Sequence, residues 1–218
     1  MSKTLWMMRH GSLPEQFDGQ LIGSRDVPLS ERGCGEAIAA ARFVAKLGDF
    51  EHVWCSPQLR ALQTAELALS VAQLAKMELL LELREMCFGE LEGLMNDEVA
   101  ARHPDAYAAW TGDNLDFTFP GGESLRDLAG RVVTLKARVL AVKGNVLMVS
   151  HGGPLLDLLC AFLDLPRSRR MSFKIDRGAL CRIDISPDGT AVLAALNVKP
   201  EASLGAKTTS VRKPCQFR

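Results

Sequence analysis

The 218-residue chain has no excess of charge of either sign: 26 Lys and Arg balance 26 Asp and Glu. No global field draws it to nucleic acid or to an anionic membrane, so neither is an expected partner. Any anion it binds must be held by a local cluster. No C-x-x-C pair occurs, although there are six cysteines, and none stands at zinc-finger spacing with a histidine. Most of the cysteines lie in apolar surroundings, where a thiol behaves as a small hydrophobe. A disulfide framework is therefore not expected, and a reducing cytoplasm is the expected compartment. No stretch approaches the ~20 apolar residues of a membrane span. The first apolar run, of about four residues, is too short for the apolar core of a signal peptide. Internal repeats are absent. Histidine is scarce, with only four in the chain.

Two of those four histidines close apolar runs. Residues 7–11 read Met-Met-Arg-His-Gly, and residues 149–153 read Val-Ser-His-Gly-Gly. Short apolar runs at 5–8, 52–55, 78–81 and 146–149 have the pattern of buried parallel strands. Ser30 is the expected N-cap of an alanine-rich helix over 31–47. Ser56-Pro57 is the expected cap and first position of a helix running to about residue 75. Residues 84–122 read as an irregular insertion with short helical pieces. Pro120-Gly121-Gly122 breaks the chain before a helix from about 123 or 124 to 142, and a further helix is expected over 154–163. Runs at 171–175, 179–185 and 191–196 are expected strands, the last two joined by a Pro187-Asp188-Gly189 turn. The tail at 199–218, rich in Lys, Ser, Thr and Pro, is expected to be disordered. Alternating strands and helices predict a three-layer α/β/α sandwich around a mainly parallel sheet. In such sheets ligands bind beyond the carboxyl ends of the strands. Arg9-His10, Ser56-Pro57 and Ser150-His151 all fall there, so three distant segments should converge on one rim.

Each of these segments has an ordinary reading beside a functional one. A lone Arg-His-Gly is most often a core histidine beside a surface arginine. Ser56 to Ala65 could be a plain capped helix, but its Arg60 offers a planar fork that matches phosphate oxygens. Gly152 lets backbone approach a ligand, and the start of the helix beyond it favours an anion. Residues 83–93 could be a solvated acidic stretch, but Glu85 follows a strand end closely enough to reach the rim and protonate a departing oxygen. A neutral imidazole at a strand end can attack phosphorus.

Taken together, Arg9-His10-Gly11, residues 23–30, 56–65 and 83–93, Gly121-Gly122-Glu123-Ser124 and Ser150-His151-Gly152-Gly153 resemble the histidine phosphatase superfamily, in its phosphoglycerate mutase-like branch. The resemblance runs from residue 5 to about 197 and implies one catalytic domain at 1–198, with a short insertion at 94–120. It implies that His10 is the phosphorylated nucleophile. Arg9, Arg60 and His151 would hold phosphate, and Glu85 would be the general acid. Gln16, Ile22, Gly23 and Gly152 would contact substrate, Ile22-Gly23 through backbone. No metal and no cofactor are implied. The expected partner is a small phosphorylated substrate, and the oligomeric state, a homodimer included, stays open. The implied activity is hydrolysis of a phosphate monoester through phosphohistidine. Mutases carry a longer insertion and an adjacent arginine pair, whereas here Arg102 stands alone in 94–120. The short insertion and the 22–29 loop look like small bacterial phosphatases, including those acting on α-ribazole phosphate in cobalamin synthesis. A phosphoglycerate mutase and a catalytically weak phosphate-binding module are the alternatives. His52 and His103 fit no motif and are read as structural or exposed. Trp110 is read as packing, with a place in the pocket wall as the alternative.

Overall fold

A computed structural model describes residues 2–200 of the chain. Its strands are β1 (Lys3–Arg9), β2 (His52–Cys55), β3 (Met77–Leu79), β4 (Val146–Ser150), β5 (Leu180–Ile185) and β6 (Ala191–Val198). They form one sheet in the order β3-β2-β4-β1-β5-β6. The β3–β2, β2–β4 and β4–β1 pairings are parallel, while β1–β5 and β5–β6 are antiparallel. The antiparallel pair begins where the chain stops alternating strand with helix: β5 and β6 are joined directly through the turn at Gly189, as expected.

The helices are α1 (Glu31–Val44), α2 (Leu59–Ala68), α3 (Val71–Leu74), α4 (Asn96–Arg102), α5 (Pro104–Thr111), α6 (Leu125–Ala141) and α7 (Gly152–Phe162). Side chains alternate across β1 and β4, so two cores form. Leu5, Met7, Val146 and Met148 pack under α6 and α7. Trp6, Met8, Leu147 and Val149 pack under α1 and α2. This alternation makes the three layers. Every residue of β4 is buried, as a central strand covered on both faces requires.

Capping chemistry sets the helix ends. Ser30 Oγ accepts from Gly33 N, and Ser124 and Asp127 form a reciprocal capping box at the start of α6. The expected helix over 57–75 is corrected in two ways. It breaks at Leu69, and Ser70 caps a separate α3 with Gln73. It also begins two residues late, at Leu59. Ser56 Oγ is engaged by His151, and the Leu59 N–H is met instead by Asp26 Oδ1 at 2.9 Å. The expected strand at 171–175 is likewise corrected: Arg167–Ser172 is a 3-10 turn. With three residues per turn, Arg167 and Arg170 lie on one side, where they meet the carboxylates of Asp157 and Asp113. That pairing outweighs the strand preference of the apolar residues after it. Apart from Lys199 and Pro200, the 199–218 tail lies outside the described residues.

Candidate active site

The strand register brings the three segments together. Arg9 is paired with Ser150, and Cys55 with Val149, so β1, β4 and β2 end within one residue of each other. His10 N donates to Ser150 O at 3.0 Å, and Ser56 N to Val149 O at 2.9 Å. The His10 and His151 rings consequently meet with centroids 5.1 Å apart. Both histidines are buried, at 4% and 0% exposure.

Hydrogen bonding fixes the tautomer of each ring. His10 Nδ1 lies 2.8 Å from Gly11 O. A carbonyl only accepts, so Nδ1 carries the proton and the Nε2 lone pair is left for a ligand. His151 Nδ1 accepts from Arg60 Nε at 3.1 Å, and its Nε2 lies 2.8 Å from Ser56 Oγ. Arginine only donates, so the His151 proton sits on Nε2 and points at the serine. Both imidazoles are held well below the ordinary histidine range. Burial is the main cause for each. Arg9 and then Arg60 add to it at His10, and Arg60 and then His10 at His151.

Arg60 is buried and Arg9 partly so, yet their donors go to neutral acceptors. Arg60 gives Nη1 to Arg25 O and Nη2 to Gly23 O, both at 2.8 Å. Arg9 gives Nη1 to Ile175 O at 2.7 Å, while its buried Nε has no partner among the described residues. Burial lowers both guanidinium pKa values, and the negative charge of Glu85 opposes this. The Arg9 guanidinium lies against Gly152, where a Cβ would sit 3.3 Å from Arg9 Cζ. A side chain at 152 would press on it.

Glu85 lines the same cleft, close to the start of α7. Its Oε1 accepts from Met86 N at 3.0 Å and its Oε2 from Gly153 N at 3.3 Å. A Cβ at Gly153 would meet Oε1 at 2.4 Å, so glycine is what lets the carboxylate approach. The cleft has a volume of about 450 Å³. Arg9, His10, Arg60, Glu85 and Gly152 line one part, and Phe88, Tyr107, Trp110, Leu128 and Leu156 line the other. The arrangement provides a free imidazole nitrogen, buried positive charge around it and a carboxyl group beside it.

The family model of the histidine phosphatase superfamily (branch 1) matches residues 5–198. The chain belongs to the histidine phosphatase superfamily. It is 32% identical over 195 residues to the adenosylcobalamin/alpha-ribazole phosphatase of Salmonella typhimurium, covering 88% of this chain and 95% of that one. It is 34% identical over 199 residues to a 2,3-bisphosphoglycerate-dependent phosphoglycerate mutase of Methylobacterium radiotolerans, covering 87% and 93%. Among solved structures, the alpha-ribazole phosphatase of Shigella flexneri superposes with a TM-score of 0.78 at 31% identity, over 94% of this chain and 100% of that one.

Within this member of the superfamily, the structure gathers His10, Arg9, Arg60, His151 and Glu85 at one place. Ile22 and Gly23 join them, and the Gly23 carbonyl serves to hold Arg60. Gln16 does not join them. It is exposed on a 3-10 turn (Glu15–Phe17), and the residue that reaches the cleft is Gln20, whose side chain donates back to Gln16 O at 2.9 Å. Trp110 does line the cleft. His52 is partly buried, with Nε2 3.1 Å from Lys143 O, away from the cleft.

Sequence reading missed two residues. Arg177 lines the cleft and pairs with Asp18 at 2.5 Å. Gln58, buried, donates Nε2 to Gly23 O and accepts from Glu85 N, each at 2.8 Å. It ties the Glu85 segment to the same carbonyl that holds Arg60. The signal available for Gln58 was its place beside Ser56 and Arg60 at a helix start facing the rim. Arg177 lies outside every motif named above. Among the described residues no group of three or more His, Cys, Asp or Glu is placed to hold a metal ion, and no helix is long and apolar enough to cross a membrane.

Proposed function

We propose that this protein is a phosphatase that hydrolyses a small phosphate monoester through a phosphohistidine at His10. The observation that carries the reading is the His10 tautomer: the Gly11 carbonyl holds the proton on Nδ1 and leaves Nε2 nucleophilic beside the positive charges of Arg9 and Arg60. Attack of Nε2 on phosphorus forms the N–P bond as the ester P–O bond breaks. Charge then builds on three equatorial oxygens, where Arg9 and Arg60 supply fixed positive charge and the Gly152 backbone supplies a close approach. His151 holds Arg60 in place and adds a second imidazole facing His10. Glu85, when protonated, gives its proton to the leaving oxygen and then takes one from the water that attacks phosphohistidine. Splitting the transfer into two steps is the advantage of a covalent intermediate.

The similarity to adenosylcobalamin/alpha-ribazole phosphatases supports α-ribazole 5'-phosphate as the candidate substrate. The mutase relative keeps a second reading alive, phosphoglycerate isomerisation. Incubation with an aryl phosphate followed by a rapid quench should give free phosphate and an acid-labile, base-stable phosphoenzyme. Both should be lost in His10→Ala. Phosphate release that survives this substitution would overturn the reading. Isomerisation of 3-phosphoglycerate faster than its hydrolysis, with bisphosphoglycerate present, would favour the mutase.

A further inference from the structure

The cleft continues past the phosphate end along one face of α7. Gly152, Gly153, Leu156 and Asp157 all line it, which is helical i, i+4 spacing. Asp157 lies about 7.5 Å along the helix axis from Gly152. At that distance stand two further arginines, Arg167 and Arg170, which also line the cleft. Both are held mainly by carboxylates, one of which, Asp157, also lines the cleft, while the buried Arg167 Nη2 has no partner among the described residues. Arg167 Nε donates to Asp157 Oδ2 at 2.5 Å, and its Nη1 to Asp113. Arg170 Nη1 donates to Asp113 Oδ1 at 2.8 Å and its Nη2 to Trp110 O at 3.1 Å, while its Nε lies 3.7 Å from Asp157. Asp113 backs the arginines from the end of α5. With both carboxylates ionised, the four groups carry two positive and two negative charges. Around them the wall is apolar: Tyr107, Trp110, Leu128 and Leu156.

We infer that this quartet, Asp113, Asp157, Arg167 and Arg170, makes the far end of the cleft a neutral wall that selects esters whose leaving alcohol carries no second anionic group. The inference rests on the phosphatase reading and names the substrate class of that same site. A carboxylate or second phosphate entering here gives up its water and meets guanidinium groups whose charge is already matched. An uncharged alcohol with an apolar face loses little and gains the aromatic wall. Asp113 does not line the cleft, so the isosteric Asp113→Asn should unmask positive charge while its amide oxygen can still accept from the two arginines.

The test is a matched pair of esters, 4-carbamoylphenyl phosphate and 4-carboxyphenyl phosphate, assayed on the full chain with phosphate release as the readout. Wild-type protein should prefer the uncharged ester in kcat/KM by about 10- to 100-fold. Asp113→Asn should narrow that preference, chiefly by lowering KM for the carboxylated ester. Equal or better turnover of the carboxylated ester by wild type would overturn the inference, whatever becomes of the variant. So would an unchanged preference in a folded Asp113→Asn protein. Failure to hydrolyse either ester would instead overturn the phosphatase reading, and the inference with it.

Discussion

The two ends of the cleft hold arginines in opposite ways. At the near end, Arg9 and Arg60 are fixed by carbonyl oxygens and an imidazole, and among the described residues neither makes an ion pair. At the far end, Arg167 and Arg170 are fixed by carboxylates. The first arrangement costs the fold desolvation of an uncompensated charge and leaves that charge for a ligand. The second neutralises the charge in place and uses it to join α5, α7 and the turn at 167–172. Buried cations thus mean different things according to what accepts from them. A neutral cradle reserves charge for an anion, and an ionic one uses it for structure.

The sharpest way to break the comparison is at the nucleophile. His10→Ala should lower turnover by about four to six orders of magnitude, as loss of a covalent catalyst does elsewhere, with an unchanged circular dichroism spectrum. A loss of less than about 100-fold in steady-state kcat would remove His10 from that role. Next in size is Glu85→Gln. A lost proton donor costs about 10²–10⁴-fold, and the effect should shrink for esters with a good leaving group such as 4-nitrophenol. An equal loss for good and poor leaving groups would count against proton donation.

Gln58→Leu should lower kcat about 10-fold with KM changed less, because the Glu85 N–H and the Gly23 carbonyl each lose a buried partner. The loss should be larger for poor leaving groups than for 4-nitrophenol, since the variant loosens the proton donor. A purely structural role would lower the melting temperature and slow all esters alike.

The smallest effect expected is on stability. His10 and His151 stay neutral in the folded protein because burial and neighbouring arginines depress their pKa values. In the unfolded chain they titrate near ~6.5. Stability from this source is therefore present above that pH and lost as pH falls below it. The loss should be about 1.4 kcal/mol per pH unit for each histidine. Thermal unfolding followed from pH 7.5 to 5.5 should show it, and His151→Asn should flatten the slope by about one proton. An identical slope in the variant would mean that His151 already carries its proton when folded.

Much of the near end was legible because its residues sit at fixed places on regular elements. His10 and His151 each follow a buried strand, and the expected strands lay within a residue or two of β1, β2, β3 and β4. Parallel pairing with β4 in the middle then forces their carboxyl ends together. Glu85 was found through its nearness to a strand end. Gln16 was misplaced because residues 12–29 have no period from which to read direction, and one turn of 3-10 helix puts its side chain outside. The cap of α2 was misassigned for a related reason. Ser56 is a good N-cap by composition, but its hydroxyl meets His151, 95 residues away, and Asp26 from another loop takes over the helix end.

The sequence by itself determined the alternation of strand and helix, the two histidines at strand ends and the arginines beside them, since these depend on hydrophobic period and short-range capping. Tertiary structure alone decided which nitrogen of His151 holds its proton, which arginines keep their charge free for a ligand and which have it matched by carboxylates. Those outcomes depend on acceptors such as Gly23 O, Ile175 O and Asp113, which come from segments far apart in the chain and meet the guanidinium groups only in the folded protein.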